Sequence, residues 1–365
     1  MTIEDSFKPY LTVKKSYKGG KSKSSVMSDK KVFKLSSNEN PLGTSPKVIA
    51  AIVSAAKDLH IYPDRTDKAL CQALAKDFDH ALSPAQFMAS NSGSDVIEMI
   101  LRAFVNIGDE VIVSNPCFVP YEAFSSKLGG VVVDVPLKGT TYDIDVEGII
   151  NAITNKTKVI FLTSPNNPTG SYISKADLES LLPQIPAHIV IIYDEVYRHF
   201  AEAADFVTGV PYVAAGHNII AVNSFSKTYG LAGMRVGYCY GSEKLISYIK
   251  QLSKPFIINK LSLVAAIAAL SDQAFIDEVV SLVKDERRYI FKELDRLGIN
   301  YTLSQANFYL IEPPLPSPDF VAHMMSEGVM VRAVDKFGAP GKVRISIGDR
   351  EANLAVINAI SSLEL

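Results

Sequence analysis

Lys227 stands among hydroxyls and glycines in SFSKTYGLAGMRVGY (224–238), with Arg235 eight residues further on. A loop lysine is usually a solvated charge, but three other segments argue against that here. SNSGSD (90–95) puts a glycine and hydroxyls where a helix starts at Ser94, and the free amides of a helix N-terminus attract an anion. Read alone, it is an ordinary Ser/Asp cap. YDEVY (193–197) puts Asp194 at the end of an otherwise apolar strand, where a carboxylate is costly unless a cation or hydrogen bonds meet it. SPNNPTG (164–170), by itself, is a cluster of turn formers. Ser224, Ser226 and Arg235 suit a phosphate, and Lys227 is an amine able to act as a nucleophile. A free lysine has a pKa of about 10.4, so a reactive amine near neutrality needs a shifted environment or conversion to an imine. A phosphate cradle, an acid for a protonated ring nitrogen and a lysine able to form a Schiff base together describe pyridoxal 5'-phosphate chemistry.

These residues fall on a regular frame. Between 85 and 245, apolar β-rich runs alternate with helical patterns. The runs are EVIVS (110–114), GVVVDV (130–135), KVIFLT (158–163), HIVIIYD (188–194), NIIAVNS (218–224) and VGYCYG (236–241). Their continuous apolar character suits strands buried on both faces of a parallel sheet. Helices are expected over 94–105, where Val96, Ile97, Ile100, Leu101 and Phe104 form a stripe, and over 174–185. The alternation predicts a three-layer α/β domain whose ligand lies at the carboxyl ends of the strands. Past about 247 the pattern changes to a long helical region (262–296) and strand-like NFYLIE (307–312), VMVR (329–332) and KVRISIG (342–348). The expected division is a large domain over 48–247, and an N-terminal arm (1–47) plus a smaller α+β domain (248–365).

The 365 residues are 47% hydrophobic with a net charge of −2, enough for a buried core and no reason to expect nucleic acid or an anionic membrane. No apolar run is long enough to span a bilayer, and the N-terminus lacks a secretory h-region. Residues 1–34 carry nine lysines against three acids, yet the acids interrupt the run and arginine is absent, which disfavours a presequence. Cys71, Cys117 and Cys239 are scattered and imply no disulfide framework, and the six histidines show no metal-ligand spacing. A reducing, cytoplasmic setting is expected. GGKS (19–22) looks like the end of a Walker loop, but Lys15 stands where its first glycine is required.

The chain resembles the fold-type I aminotransferases, in particular the histidinol-phosphate aminotransferase branch. The resemblance runs through KLSSNENPLGTSPK (34–47), YPD (62–64), SGSD (92–95), PCFVPY (116–121), SPNNPTG, DEVY (194–197), SFSKTYGLAGMRVG (224–237), QANFYL (305–310), GVMVR (328–332) and VRISIG (343–348). It implies a three-layer αβα large domain with a mainly parallel sheet, and a homodimer. It also implies that Lys227 forms the internal aldimine and shuttles the proton, while Asp194 pairs with the pyridinium nitrogen. Asn167 and Tyr197 would bond the ring 3'-oxygen, and Phe118 would stack on the ring. Ser94, Asp95, Ser224, Ser226 and Arg235 would hold the cofactor phosphate, with Tyr62 reaching it from the neighbouring subunit. Tyr17, Asn38, Glu39, Arg332 and Arg344 would meet substrate, two arginines suiting a dianionic phosphate.

The implied reaction is ping-pong transfer from L-histidinol phosphate to 2-oxoglutarate, giving imidazole acetol phosphate and L-glutamate for histidine biosynthesis. The same scaffold also serves aromatic amino-acid aminotransferases and threonine-phosphate decarboxylases. A non-catalytic binding module would lack Lys227 or Asp194. Two departures from the family pattern lie near the substrate side: YKGGK (17–21), with Gly19 in place of proline, and VYRHF (196–200).

Overall fold

The structure is a computed structural model and describes residues 2–12 and 31–363. Its first strand, β1 (Phe33–Lys34), leads into the Pro46–Ala55 helix. A large sheet follows, built from β2 (Phe87–Ser90), β3 (Glu110–Val113), β4 (Val131–Asp134), β5 (Thr157–Thr163), β6 (Val190–Asp194), β7 (Ile219–Ser224) and β8 (Gly237–Tyr240). The spatial order is β2-β8-β7-β6-β5-β3-β4. The pairs from β4 to β7 are parallel, and β8 runs antiparallel to both its neighbours.

Alternate residues of the central strands enter two cores. Ile191, Tyr193, Ile219 and Ala221 face one, and Val190, Ile192, Ile220 and Val222 face the other. This burial on both faces is why the runs read as continuous rather than alternating. The Gly93–Phe104 helix covers the second face with Val96, Ile97 and Ile100. On the first face lie the Lys68–Asp77 helix (Leu70, Leu74) and the Lys260–Leu270 helix (Ala265, Ala266). Together they make the three-layer αβα fold of the large unit.

All six expected strands form, with two differences in detail. β4 is an edge strand exposed at Val131 and Asp134, so it is not buried on both faces. β2, with its sequence FMAS, was not among the expected strands, yet it lies fully buried against β8.

The second sheet holds β9 (Tyr301–Thr302), β10 (Phe308–Ile311), β12 (Arg332–Ala333) and β13 (Val343–Ser346) in the order β12-β13-β10-β9. Between them, β11 (Val329–Met330) pairs in parallel with β1, so the run VMVR divides between two sheets. Val279, Val283, Ile290 and Leu294 of the Gln273–Leu297 helix pack here with Phe308, Ile345 and Val356. The expected helical region over 262–296 forms as two helices, Lys260–Leu270 and Gln273–Leu297. Asp272 breaks it and takes hydrogen bonds from Ser45 and Lys47 at the start of the Pro46–Ala55 helix. Residues 258–276 still pack in the large-sheet core, so the change of core falls just inside the Gln273–Leu297 helix. Among the described residues, no helix is long and apolar enough to cross a membrane.

Candidate active site

The carboxyl ends of β5, β6 and β7, the turn before β8 and the N-terminus of the Gly93–Phe104 helix open onto one cavity of about 260 Å³. Lys227 lines it from the turn after β7, Asp194 from the end of β6 and Asn167 from the loop after β5. Phe118, Tyr197, Ser94, Ser224, Ser226, Arg235, Asn38, Arg332 and Arg344 line it as well. Most of the side chains singled out in the sequence therefore meet in one place.

Two glycines make the geometry possible. Gly230 follows Lys227 with φ +67°, and a Cβ there would lie 1.9 Å from the Gly43 carbonyl oxygen. At Gly237 a Cβ would lie 2.2 Å from the Gly93 nitrogen, so only glycine lets β8 pass this close under the helix N-terminus. The cradle of Ser92, Gly93 and Ser94 rests on that contact. The Ser92 hydroxyl accepts from the Asp95 N–H at 3.0 Å, and the Asp95 carboxylate accepts from Ser90. Asp95 is thus turned into the cap rather than the cavity, and of the expected pair Ser94 is the one that lines it.

Asp194 is buried, and burial pushes its carboxyl up to about 6 against the lowering effect of its hydrogen bonds. Tyr121 donates to its Oδ2 at 2.6 Å, and Thr163 donates to the Tyr121 hydroxyl at 3.1 Å. Tyr121 stacks on Phe161 at 4.2 Å and meets the Phe118 ring edge-on at 5.5 Å. It was not singled out from the sequence. The available signal was the expectation that a strand-end carboxylate needs a donor.

Lys227 is shifted the other way, down to about 7, first by burial and then by the Arg344 charge. Its Nζ donates to the Ser37 carbonyl at 3.0 Å, and the adjacent Ser36 carbonyl accepts from Arg344 Nη2 at 2.9 Å. Arg344 Nη1 donates to Asn167 Oδ1, which fixes which end of the amide faces the arginine. Asn38, at φ +56°, donates from Nδ2 to the Tyr197 hydroxyl at 3.1 Å.

Besides Asp95, two expected residues do not line the cavity. Glu39 does not line the cavity and pairs with Lys34 at 2.6 Å. Tyr62 is 81% exposed and stacks on Phe256 at 5.0 Å, away from its own chain's cavity. Tyr17 lies outside the described residues.

The family model for class I and II aminotransferases matches residues 30–360. The chain belongs to the class I and II aminotransferases. It is 34% identical over 330 residues to histidinol-phosphate aminotransferase 2 of Carboxydothermus hydrogenoformans, covering 90% of each chain. It is 36% identical over 350 residues to histidinol-phosphate aminotransferase 1 of Idiomarina loihiensis, covering 95% of this chain and 94% of that one. The structure of histidinol-phosphate aminotransferase from Sinorhizobium meliloti in complex with pyridoxal-5'-phosphate superimposes with a TM-score of 0.83 at 26% identity, covering 91% and 92% of the two chains.

This aminotransferase uses pyridoxal 5'-phosphate, and its donor set fits that group. A phosphate has hydroxyls, Arg235 and a helix N-terminus, a ring nitrogen has a buried carboxylate, and a carbonyl carbon has an amine of lowered basicity. Its substrates are an amino donor and a 2-oxoacid.

Proposed function

We propose that the donor is L-histidinol phosphate and the acceptor 2-oxoglutarate, giving imidazole acetol phosphate and L-glutamate in histidine biosynthesis. The observation that carries this reading is the placing of two arginines. Arg332 on β12 and Arg344 on β13 are direct cross-strand partners, and both line the cavity. Like charges held opposite one another repel, and a dianion between them offsets that cost better than a single carboxylate. The cavity wall carries four cationic side chains (Lys227, Arg235, Arg332, Arg344) against one carboxylate, Asp194.

Pyridoxal phosphate, when bound, supplies the carbonyl that condenses with amines and the ring that draws electrons from the donor's α-carbon. The chain supplies the rest. Lys227, its basicity lowered, takes the α-proton from the donor and returns it on the far side of the transfer. Asp194, held by Tyr121, keeps the ring nitrogen protonated, and Asn167 and Tyr197 hydrogen-bond the ring oxygen. Phe118 covers the ring face. Ser94, Ser224, Ser226 and Arg235 hold the cofactor phosphate, and Arg344 also takes the acceptor's carboxylate.

A second copy of the chain would complete the site. Ile49, Val53, Leu59, Ile61, Tyr62 and Phe256 are exposed apolar residues, Phe256 stacked on Tyr62, which supports a homodimer in which Tyr62 reaches the partner's cofactor phosphate. The free thiols of Cys71, Cys117 and Cys239 suit a reducing, cytoplasmic setting.

The test is stopped-flow absorbance of the loaded enzyme mixed separately with histidinol phosphate, phenylalanine and threonine phosphate, without a keto acid. Rapid conversion of the bound cofactor to its amine form by histidinol phosphate supports the reading. Preference for phenylalanine would make this an aromatic amino-acid aminotransferase, and loss of CO2 from threonine phosphate a decarboxylase. Arg332→Ala is expected to weaken histidinol phosphate far more than phenylalanine. Equal losses would remove Arg332 from the donor site.

A further inference from the structure

We propose that Phe337 is a specificity-determining positioning residue. Its ring braces Arg332 and Arg344 so that the two guanidinia receive a phosphate dianion together. The proposal rests on the donor reading above and adds a residue that does not itself line the cavity.

The guanidinium carbons of Arg332 and Arg344 each lie 5.7 Å from the centroid of the Phe337 ring. Two cations forced opposite one another on neighbouring strands thus share one π surface, which attracts both and offsets part of their repulsion. The ring is only 3% exposed and packs with Leu310, Val334 and Ala339, and Phe118 packs against the same group.

The brace is also tied to the large-sheet side of the cavity. The Phe337 carbonyl accepts from the Cys117 N–H at 3.1 Å, one residue before the ring-stacking Phe118. Gly338 follows at φ +89°, and a Cβ there would lie 3.2 Å from Pro116 Cα. The turn that carries the ring is therefore pressed against the loop that covers the cofactor.

Arg344 keeps further holds when the ring is lost, on Asn167 and the Ser36 carbonyl. Arg332 borders a second cavity as well, an open groove of about 720 Å³ lined by Val321, Met325, Met330 and Phe337. The Phe337 ring lines that groove too, beside the Arg332 guanidinium. Losing the ring should therefore weaken a ligand that needs both arginines more than one that needs Arg344 alone.

The experiment is steady-state kinetics of the holoenzyme carrying Phe337→Leu or Phe337→Tyr. Histidinol phosphate and 2-oxoglutarate are varied in turn, with inorganic phosphate as a competitive inhibitor. For Phe337→Leu, KM for histidinol phosphate and Ki for inorganic phosphate are expected to rise about tenfold, the weight of a partly desolvated cation–π contact. The kcat and the KM for 2-oxoglutarate should stay within about twofold on the same scale. Phe337→Tyr keeps the π face and should restore wild-type constants. An unchanged KM, an equal rise for both substrates, or a Tyr variant as impaired as the Leu variant would overturn the proposal. If Phe337→Leu does not fold, Phe337→Met, of similar volume and without a π face, carries the same test. If wild type does not use histidinol phosphate, the donor reading fails. The brace is then judged by the inorganic phosphate Ki against whichever donor is used.

Discussion

Replacing Tyr121 by Phe removes one hydroxyl and leaves the ring stacked on Phe161. That hydroxyl is the side-chain donor to Asp194, whose carboxyl stands at about 6 because burial outweighs its hydrogen bonds. A carboxyl raised in the fold favours the protonated form, so the cofactor-free protein loses stability as pH climbs from about 4 to about 6 and levels off above. The rise of about two units corresponds to about 3 kcal/mol. A buried hydrogen bond to the charged form contributes about 1.5–3 kcal/mol and one to the neutral form about 1 kcal/mol, so its loss should lift the carboxyl further by the difference, about 0.5–2 kcal/mol. Near pH 5, where Asp194 is protonated in both folded proteins, the variant should be weaker by only about 1 kcal/mol, a neutral hydrogen bond. The gap should then widen above about pH 6 and reach about 1.5–3 kcal/mol near pH 8. Urea unfolding of the cofactor-free proteins from about pH 5 to about pH 8 measures this directly. In an Asp194→Asn background the widening should vanish. A gap of constant size across the range would mean that the hydroxyl contributes packing alone, and the assigned role would be wrong.

Three further outcomes are expected. Lys227→Ala should abolish turnover and the borohydride-trappable bond to the cofactor; retained activity would remove Lys227 from the chemistry. Because the Lys227 amine stands at about 7, cofactor reloading of the apoenzyme should speed up with pH to about 7 and then level. A rate still climbing toward pH 10 would contradict the lowered basicity. Gly237→Ala must displace the Gly93 amide and should loosen the cofactor measurably in a dilution-release assay, with little change in donor KM. Unchanged retention would show that the cradle tolerates the shift.

The sequence exposed the site where polarity was out of place. Asp194 ends an apolar strand and Lys227 sits among glycines, so both announced themselves, and the large sheet followed from runs buried on both faces. What escaped notice was what apolar context hides. Tyr121 and Phe337 were given no role, because a hydroxyl aimed at a carboxylate or a ring face near two guanidinia leaves no trace in hydropathy. β2 escaped because Phe87, Met88, Ala89 and Ser90 include no β-branched residue, and the burial that makes them a strand comes from β8. The helix break at Asp272 escaped for a similar reason, since its partners Ser45 and Lys47 lie more than 200 residues away in the chain.

The neighbouring carbonyls of Ser36 and Ser37 hold, respectively, the anion-receiving Arg344 and the reactive amine of Lys227. Two consecutive peptide units therefore have a hand on one each. To the extent that the two carbonyls move together, releasing the amine and re-seating the arginine are coupled, and thermodynamic linkage makes the traffic two-way. By whatever factor a donor's anion favours freeing the amine, freeing the amine must favour that anion by the same factor. Under that coupling, discrimination between donors would be exercised partly at the lysine, some distance from the group being discriminated.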